Sequence, residues 1–293
     1  MKRSHKIMIV AVILTPVVIG LVVTVLSQNS ERGPLGGAKI GLVRVRDIIY
    51  ESDSYVKQLK EYREDESVLG VIMRINSPGG TVAPAQEIFA EVMRYRAAQK
   101  PLIVSMENVA ASGGYYIAGG ADKIFANPGT LTGSFGVILR FPSYHKLMDK
   151  IGFDMITIKA GKFKDIGNPH REMTDAERAT LSTLVENTHD QFINAIVTGR
   201  NMSLDSVRKY ADGRIFTGMQ AKELGFVDSL GGFETALEYL KTTLGLTGKV
   251  KLAEKKEREP LLKRLLTGEA RGLLNVGRVL APPAGAYYLM SGS

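Results

Sequence analysis

The sequence predicts an α/β domain with a largely parallel sheet, and three observations carry that reading. The run VLGVIMRI, Val68 to Ile75, is a continuous apolar run but for Arg74, as in a strand buried on both faces. Strand-like and helix-like stretches alternate from Ala38 to about Ala160, the pattern of strands joined by crossover helices. After Gly167 the chain turns mainly helical, so the helices that follow are expected to cover a sheet already built.

Taken in order, AKIGLVRVR from Ala38 alternates apolar and polar residues and predicts the first strand. SYVKQLKEYRED from Ser54 has the spacing of an amphipathic helix. The buried strand Val68–Ile75 ends at NSPGG, Asn76 to Gly80, and a helix follows over about Pro84 to Ala98. LIVSME is the next strand, and Ser112 opens a short helix. KIFANP, SFGVIL and DMITIKA predict further strands, with a short helix near Tyr144 before the last of them. TDAERATLSTLVENTHDQFINAIVTGR is a long helix with Thr174 at its N-cap and Glu177 three residues on, the spacing of a capping box. SLDSVRKYADG predicts another helix, Ala211–Gly232 a short strand, a helix and a turn, and about Phe233–Leu244 a last helix. No internal repeat is present.

The N-terminus divides the chain further. Lys2, Arg3 and Lys6 precede an uncharged apolar run from Ile7 to Ser27. At about 1.5 Å per residue that run is long enough for a hydrocarbon core of about 30 Å. It is longer than the apolar region of a cleaved signal peptide, and VLSQNS is a poor cleavage site, so a retained anchor is the expectation. The cations ahead of the span place residues 1–6 in the cytoplasm and the rest outside it. Residues 28–37 read as a linker, 38–248 as the catalytic domain, and 249–293 as a basic amphipathic extension ending in a loose tail.

Composition removes several chemistries. There is no cysteine, hence no disulfide, thiol nucleophile or zinc–thiolate site, and nothing calls for a metal or cofactor. The net charge of +8 is spread along the chain without a nucleic-acid signature, so no nucleic-acid partner is expected.

The chemistry-bearing stretch is NVAASGGYYIAGG, where Ser112 stands at a strand-to-helix turn. Free N–H groups at a helix start favour developing negative charge, so the N–H of Gly113 suits an oxyanion. NSPGG offers a second glycine loop at the end of a buried strand, although such loops are often plain turns. The pattern is not the G-x-S-x-G elbow, because Ala110 stands where that motif has glycine. None of His5, His145, His170 and His189 has a triad-like setting. A neutral lysine is the remaining way to activate a serine, and TIKAGKFKDIG holds Lys159, Lys162 and Lys164. Spacing alone does not choose between Lys162 and Lys164.

The blocks NSPGG, AASGGYYIA, GTLTGSFGV, KFKD and DGRIFTGMQAKELGFVDSLGG occur in one order over about Ala38 to Leu244. In this the sequence resembles the bacterial signal peptide peptidases of the SppA type, membrane-anchored serine proteases of the Clp protease/crotonase fold. The resemblance implies a β-β-α superhelix, Ser112 as nucleophile and Lys164 as general base. It implies further that Ser134 orients the lysine amine and that the N–H groups of Gly79 and Gly113 form the oxyanion hole. The substrates implied are remnant signal peptides and other short apolar peptides, met at the plasma membrane. Long members carry two copies of the domain. This chain carries one, which implies a homo-oligomeric ring in which a neighbour can supply the lysine.

Two rivals remain at this level. A crotonase-like acyl-CoA hydratase or isomerase would use a similar pair of N–H groups on a thioester, but with glutamates and no anchor. A non-catalytic membrane scaffold would need neither Ser112 nor Lys164. The tail carries its own expectation. AYYLM near the end is apolar and set among small residues, so it is chemically like the proposed substrate, and two readings stand: it enters a substrate groove and slows turnover, or it is disordered or a contact between subunits.

Overall fold

The computed structural model of the chain describes residues 37–255 and 286–289. The anchor expected at 7–27 and the basic segment after residue 255 lie outside the described residues. Among the described residues no helix is long and apolar enough to cross a membrane.

The chain opens on strand β1 (Lys39–Arg46) and helix α1 (Asp53–Glu64), then runs through β2 (Val68–Ser77), β3 (Gly79–Thr81) and α2 (Val82–Ala97). It continues through β4 (Leu102–Ala111), α3 (Gly113–Ala118), β5 (Lys123–Ala126), β6 (Leu131–Gly133) and β7 (Ile138–Leu139). After α4 (His145–Ile151) comes the long α5 (Asp175–Arg200), then α6 (Leu204–Arg208), β8 (Ile215–Thr217), α7 (Gly218–Glu223), β9 (Ser229–Leu230) and α8 (Phe233–Thr243). β10 (Lys251–Glu254) and β11 (Ala286–Leu289) end the described chain.

The main sheet has the order β10-β1-β2-β4-β5-β9, and every pair along it is parallel. β6 adds in parallel to the far end of β4 and pairs antiparallel with β8. This is the mixed α/β fold with a central parallel sheet that the strand–helix alternation predicts.

Alternation along the strands explains the two-sided core. Val43, Val45, Val71, Met73, Ile75, Val104 and Met106 face the larger cluster, which α1, α2, α3 and α5 cover through Leu59, Ile88, Tyr115 and Phe192. Ile40, Leu42, Ile72, Ile103 and Phe125 face the other way, onto Ala236 and Leu240 of α8. A strand buried on both faces has little room for polar residues, which is why Val68–Ile75 reads as nearly continuous apolar sequence, the exception being the half-buried Arg74, paired with Glu107.

Several expectations change in detail. β10 pairs with β1, so the sheet continues past residue 248. The helix predicted over SLDSVRKYADG is only the five residues of α6. Of SFGVIL only Ile138–Leu139 is strand. DMITIKA is not a strand. It runs without secondary structure, Ile156 and Ile158 are 88% and 97% exposed, and among the described residues no strand pairs with it. The alternation is present in the sequence, but a strand needs a neighbour for its backbone groups, and none of the described residues offers one there. The tail is not loose over Ala286–Leu289. It is the middle strand of a second, three-stranded sheet, β3-β11-β7.

Candidate active site

β4 carries the chain up the middle of the sheet and delivers it to Ser112, the N-cap of α3. The turn is tight enough to put Ser112 at φ +53°, a left-handed conformation that is rare for residues other than glycine. Its N–H donates to the Gly133 carbonyl at 2.8 Å and its carbonyl accepts from the Tyr116 N–H at 2.8 Å, so the backbone is pinned on both sides. The side chain is fully buried, and the hydroxyl has no hydrogen-bond partner among the described residues. A buried polar atom left without a partner in a strained residue is costly to stability, and such positions gather at functional sites.

Ser134 is brought alongside by sheet register. β4 and β6 pair at Ala111↔Gly133, so Ser112 and Ser134 are the next residue on each of two parallel neighbours. Ser134 has the same kind of backbone, φ +56°, and is 5% exposed. Its N–H is held by the Arg214 carbonyl at 2.8 Å. The two serine turns are thus paired features of one sheet end, which the spacing of AASGG and LTGSFG in the sequence does not reveal.

The NSPGG loop packs directly on the serine turn. A Cβ on Gly114 would sit 2.8 Å from the Ser77 carbonyl oxygen, so glycine there is a requirement of close approach. Gly80 is tighter still, because a Cβ would lie 2.0 Å from the Ile49 carbonyl oxygen. Gly79 is at φ +110° and its carbonyl accepts from the Ile49 N–H at 2.9 Å. The Gly79 N–H donates to Ser77 Oγ at 3.1 Å, a bond that an incoming oxyanion would compete with. Gly113 occupies the first position of α3, where a helix N–H has no partner within the helix. The two predicted oxyanion donors therefore lie on loops that touch each other.

Beside this corner runs the peptide-shaped feature of the molecule. β11 is antiparallel to β3 with Tyr287↔Thr81, Tyr288↔Gly80 and Leu289↔Gly79, and antiparallel to β7 with Tyr287↔Ile138. The chain's own segment thus fills a slot between two strands, and one of them begins at Gly79.

The lysines separate. Lys159 Nζ is paired with the Asp165 carboxylate and also donates to the Lys162 carbonyl at 3.2 Å. Lys162 Nζ stands 5.2 Å from the centre of the Phe163 ring. Lys164 is exposed, and its ammonium group makes no hydrogen bond or ion pair with another described residue. Its backbone N–H donates to Gly161. Within the chain Lys164 is therefore not hydrogen-bonded to Ser112. The histidines offer no alternative. His145 Nδ1 meets Ser143 Oγ at 2.8 Å and its Nε2 lies 3.3 Å from Glu172, while His189 Nε2 meets the Phe135 carbonyl at 3.1 Å. His170 lies beside Tyr144, with its backbone N–H on Asn168.

The segment around Lys164 is tied down by charge. The Arg171 guanidinium beside Asp165 and Glu177 holds both carboxyls below the usual carboxylate range, Glu177 down to about 2. Among the described residues no cluster of histidine, aspartate and glutamate is arranged to hold a metal ion.

Comparison with known proteins falls on the same stretch. The profile of peptidase family S49 matches residues 94–247, a span that contains Ser112, Ser134 and Lys164. A Synechocystis sp. protein, named provisionally as a protease, is 41% identical over 209 residues, covering 71% of this chain and 75% of its own length. A provisionally named signal peptide peptidase SppA of Enterococcus faecium is 40% identical over 198 residues, 68% of this chain and 58% of that protein. A protein of Methanocaldococcus jannaschii, also named provisionally as a protease, is 36% identical over 258 residues, 82% of this chain and 83% of its own length.

Proposed function

The chain belongs to peptidase family S49 and is a serine peptidase, and from that premise we propose a membrane-anchored endopeptidase in which Ser112 attacks and Lys164 of a neighbouring copy takes the proton. The observation that carries this reading is the Ser112 hydroxyl, fully buried, without a partner, on a backbone held at positive φ. Family membership sets aside the acyl-CoA reading, and a non-catalytic scaffold has no use for so costly a hydroxyl.

Ser112 Oγ adds to the peptide carbonyl, and its proton passes to a neutral lysine amine. The oxyanion takes the Gly113 N–H and the Gly79 N–H, the latter released from Ser77 Oγ. The lysine returns the proton to the leaving amine, and water resolves the acyl-enzyme. Ser134, one residue past the pairing partner of Ala111, orients the amine. A lysine acts as a base only when neutral, a state that burial favours. Lys164 is exposed in the single chain, so that burial has to come from a second copy. The surface around it suits such contact, because Leu147, Ile151, Phe153, Met155, Ile156, and Ile158 are all exposed. A closed ring of copies, on the Clp protease/crotonase superhelix, gives each serine a neighbour's lysine.

The substrates proposed are short apolar peptides, remnant signal peptides among them, bound extended in the slot now filled by β11. Residues 7–27 are proposed to anchor the ring in the plasma membrane with the catalytic domain outside the cytoplasm. The test is covalent labelling of Ser112 with a phosphonate probe across pH, beside turnover of Lys164→Ala, Lys164→Arg and Lys162→Ala. Loss of about 10²–10⁴-fold in both Lys164 variants, with Lys162→Ala near wild type and labelling that rises with pH, is the expected result. A Lys164→Ala enzyme that cleaves peptide at the wild-type rate overturns the dyad.

A further inference from the structure

The loop that carries Lys164 is irregular. Gly161–Asn168 is a succession of turns closed by short-range bonds, Lys164 N–H to Gly161 at 3.2 Å, Ile166 N–H to Phe163 at 3.1 Å and Asn168 N–H to Asp165 at 3.0 Å. Turns of this kind hold a local shape but do not fix where the loop stands relative to the sheet. A general base has to be held to within a fraction of an ångström, and a displacement of about 1 Å can lower a rate by roughly 10². Something outside the loop must supply that hold.

Lys159 contributes, its ammonium paired with the Asp165 carboxylate and donating to the Lys162 carbonyl at 3.2 Å, but among the described residues only Arg171 joins the loop to a helix of the core. Arg171 Nε donates to Asp165 Oδ2 at 3.0 Å, and Nη2 reaches the Asp165 carbonyl at 3.3 Å, so the residue next to Lys164 is gripped by both its side chain and its backbone. The same guanidinium donates through Nη1 to Glu177 Oε2 at 2.8 Å and through Nη2 to Glu177 Oε1. It also donates to the Glu172 carbonyl at 3.0 Å. Glu177 is no loose partner. It is 3% exposed and belongs to the capping box of α5, accepting from the Thr174 N–H at 2.9 Å while its own N–H donates to Thr174 Oγ1 at 3.3 Å. α5 is in turn fixed in the core by Phe192, Ile193 and Ile196. Farther along the same helix, His189 Nε2 meets the carbonyl of Phe135, the residue after Ser134. One rigid helix thus holds the lysine loop at its start and touches the serine corner along its length.

We propose that Arg171 is a positioning residue for the general base, its planar fork locking the Lys164 loop to the first turn of α5 through Asp165 on one side and Glu177 on the other. The inference rests on Lys164 being the base. Lysine at 171 would keep the charge but not the fork, because an ammonium cannot bind both oxygens of the Glu177 carboxylate in parallel while also holding the Asp165 carboxylate and carbonyl.

The test compares Arg171→Met, Arg171→Lys and Glu177→Gln with wild type in the full-length protein, with kcat expressed per site titrated by a phosphonate probe. The expected result is a kcat lower by about 10–100-fold in Arg171→Met, KM nearly unchanged, and only partial rescue in Arg171→Lys. The pH–rate profile of the variants should be displaced from wild type, because a misplaced amine loses the surroundings that set its protonation. If Arg171 is only structural, the variants lower the melting temperature and the fraction of titratable sites, while kcat per site and the pH profile stay at wild-type values. That outcome overturns the proposal. Should Arg171→Met fail to fold, Arg171→Lys and Glu177→Gln decide by the same criteria. Lys164→Ala, run alongside, separates the two failures. If it is inactive while all three variants keep wild-type kcat per site, the positioning role alone is wrong. If it is fully active, the base assignment falls and the positioning role falls with it.

Discussion

The serine corner and the lysine loop are built on opposite principles. Ser112 and Ser134 sit at the ends of two paired strands, buried, with the backbone N–H of each serine held by a carbonyl and glycines packed so closely that a methyl group would collide. Lys164 stands on an irregular, exposed loop next to a run of exposed apolar side chains. On the proposed reading, the nucleophile is a property of one folded chain. The base, on the same reading, becomes a base only in an assembly. A catalytic pair divided this way is inert until copies meet, so activity reports on assembly as well as on folding.

The comparison is broken most completely by Ser112→Ala. Turnover and probe labelling should fall by about 10⁴-fold or more, while the fold is untouched. The hydroxyl makes no hydrogen bond, so its removal should leave stability equal or raise it by up to about 1–3 kcal/mol, measured as the melting temperature by circular dichroism. A variant that melts well below wild type would mean that the hydroxyl has a structural partner.

The other half is tested by Ile156→Glu with Ile158→Glu. Both side chains are nearly fully exposed in the single chain, so stability should change by no more than about 0.5 kcal/mol. Assembly, read by analytical ultracentrifugation, should be lost together with peptidase activity. A monomeric double variant that retains full activity would put both halves of the dyad in one chain.

Much of this division was legible in the sequence, and unevenly. The parallel sheet could be read because strands such as Val68–Ile75 are buried on both faces and, apart from Arg74, carry no polar side chain. Ser112 could be picked out because a short run of small residues and two glycines announces a tight turn. DMITIKA was misread because alternation records the side chains of a strand but not whether a neighbour exists to pair with it. Gly114 was not singled out, since its role is a 2.8 Å approach to Ser77, a residue distant in sequence. Arg171 lay in a polar stretch, and nothing local marks it as the partner of Asp165 and Glu177 together.

A smaller effect is expected at the slot. Deleting Pro283 to Ser293 removes β11 and should raise turnover of small reporter peptides by about two- to tenfold, because a tethered occupant competes at high effective concentration. An unchanged rate would show that β11 leaves the slot freely during turnover.

The smallest effect concerns acid. Asp165 and Glu177 have folded-state pKa values below their ordinary range, Glu177 at about 2. Their contribution to stability is therefore fully present above the ordinary carboxyl range near about 4 and is lost as pH falls from there toward about 2. Melting temperature should decline across that window in wild type and decline less steeply in Glu177→Gln. Parallel curves for the two would mean that the Glu177–Arg171 pair adds nothing to stability.

The slot between β3 and β7 has a consequence for what the enzyme leaves alone. A strand seated there is flanked by backbone on both sides, so the main chain of the guest supplies much of its grip. Admission then depends on whether a polypeptide can offer several consecutive residues stretched out and free of other bonds. A folded domain cannot, because its amide groups are already committed to its own sheets and helices. A proline in the wrong place cannot either, since it has no N–H to donate. If peptides bind there as proposed, such a cleft discriminates by conformation as well as by composition, sparing finished proteins while remaining open to unfolded debris.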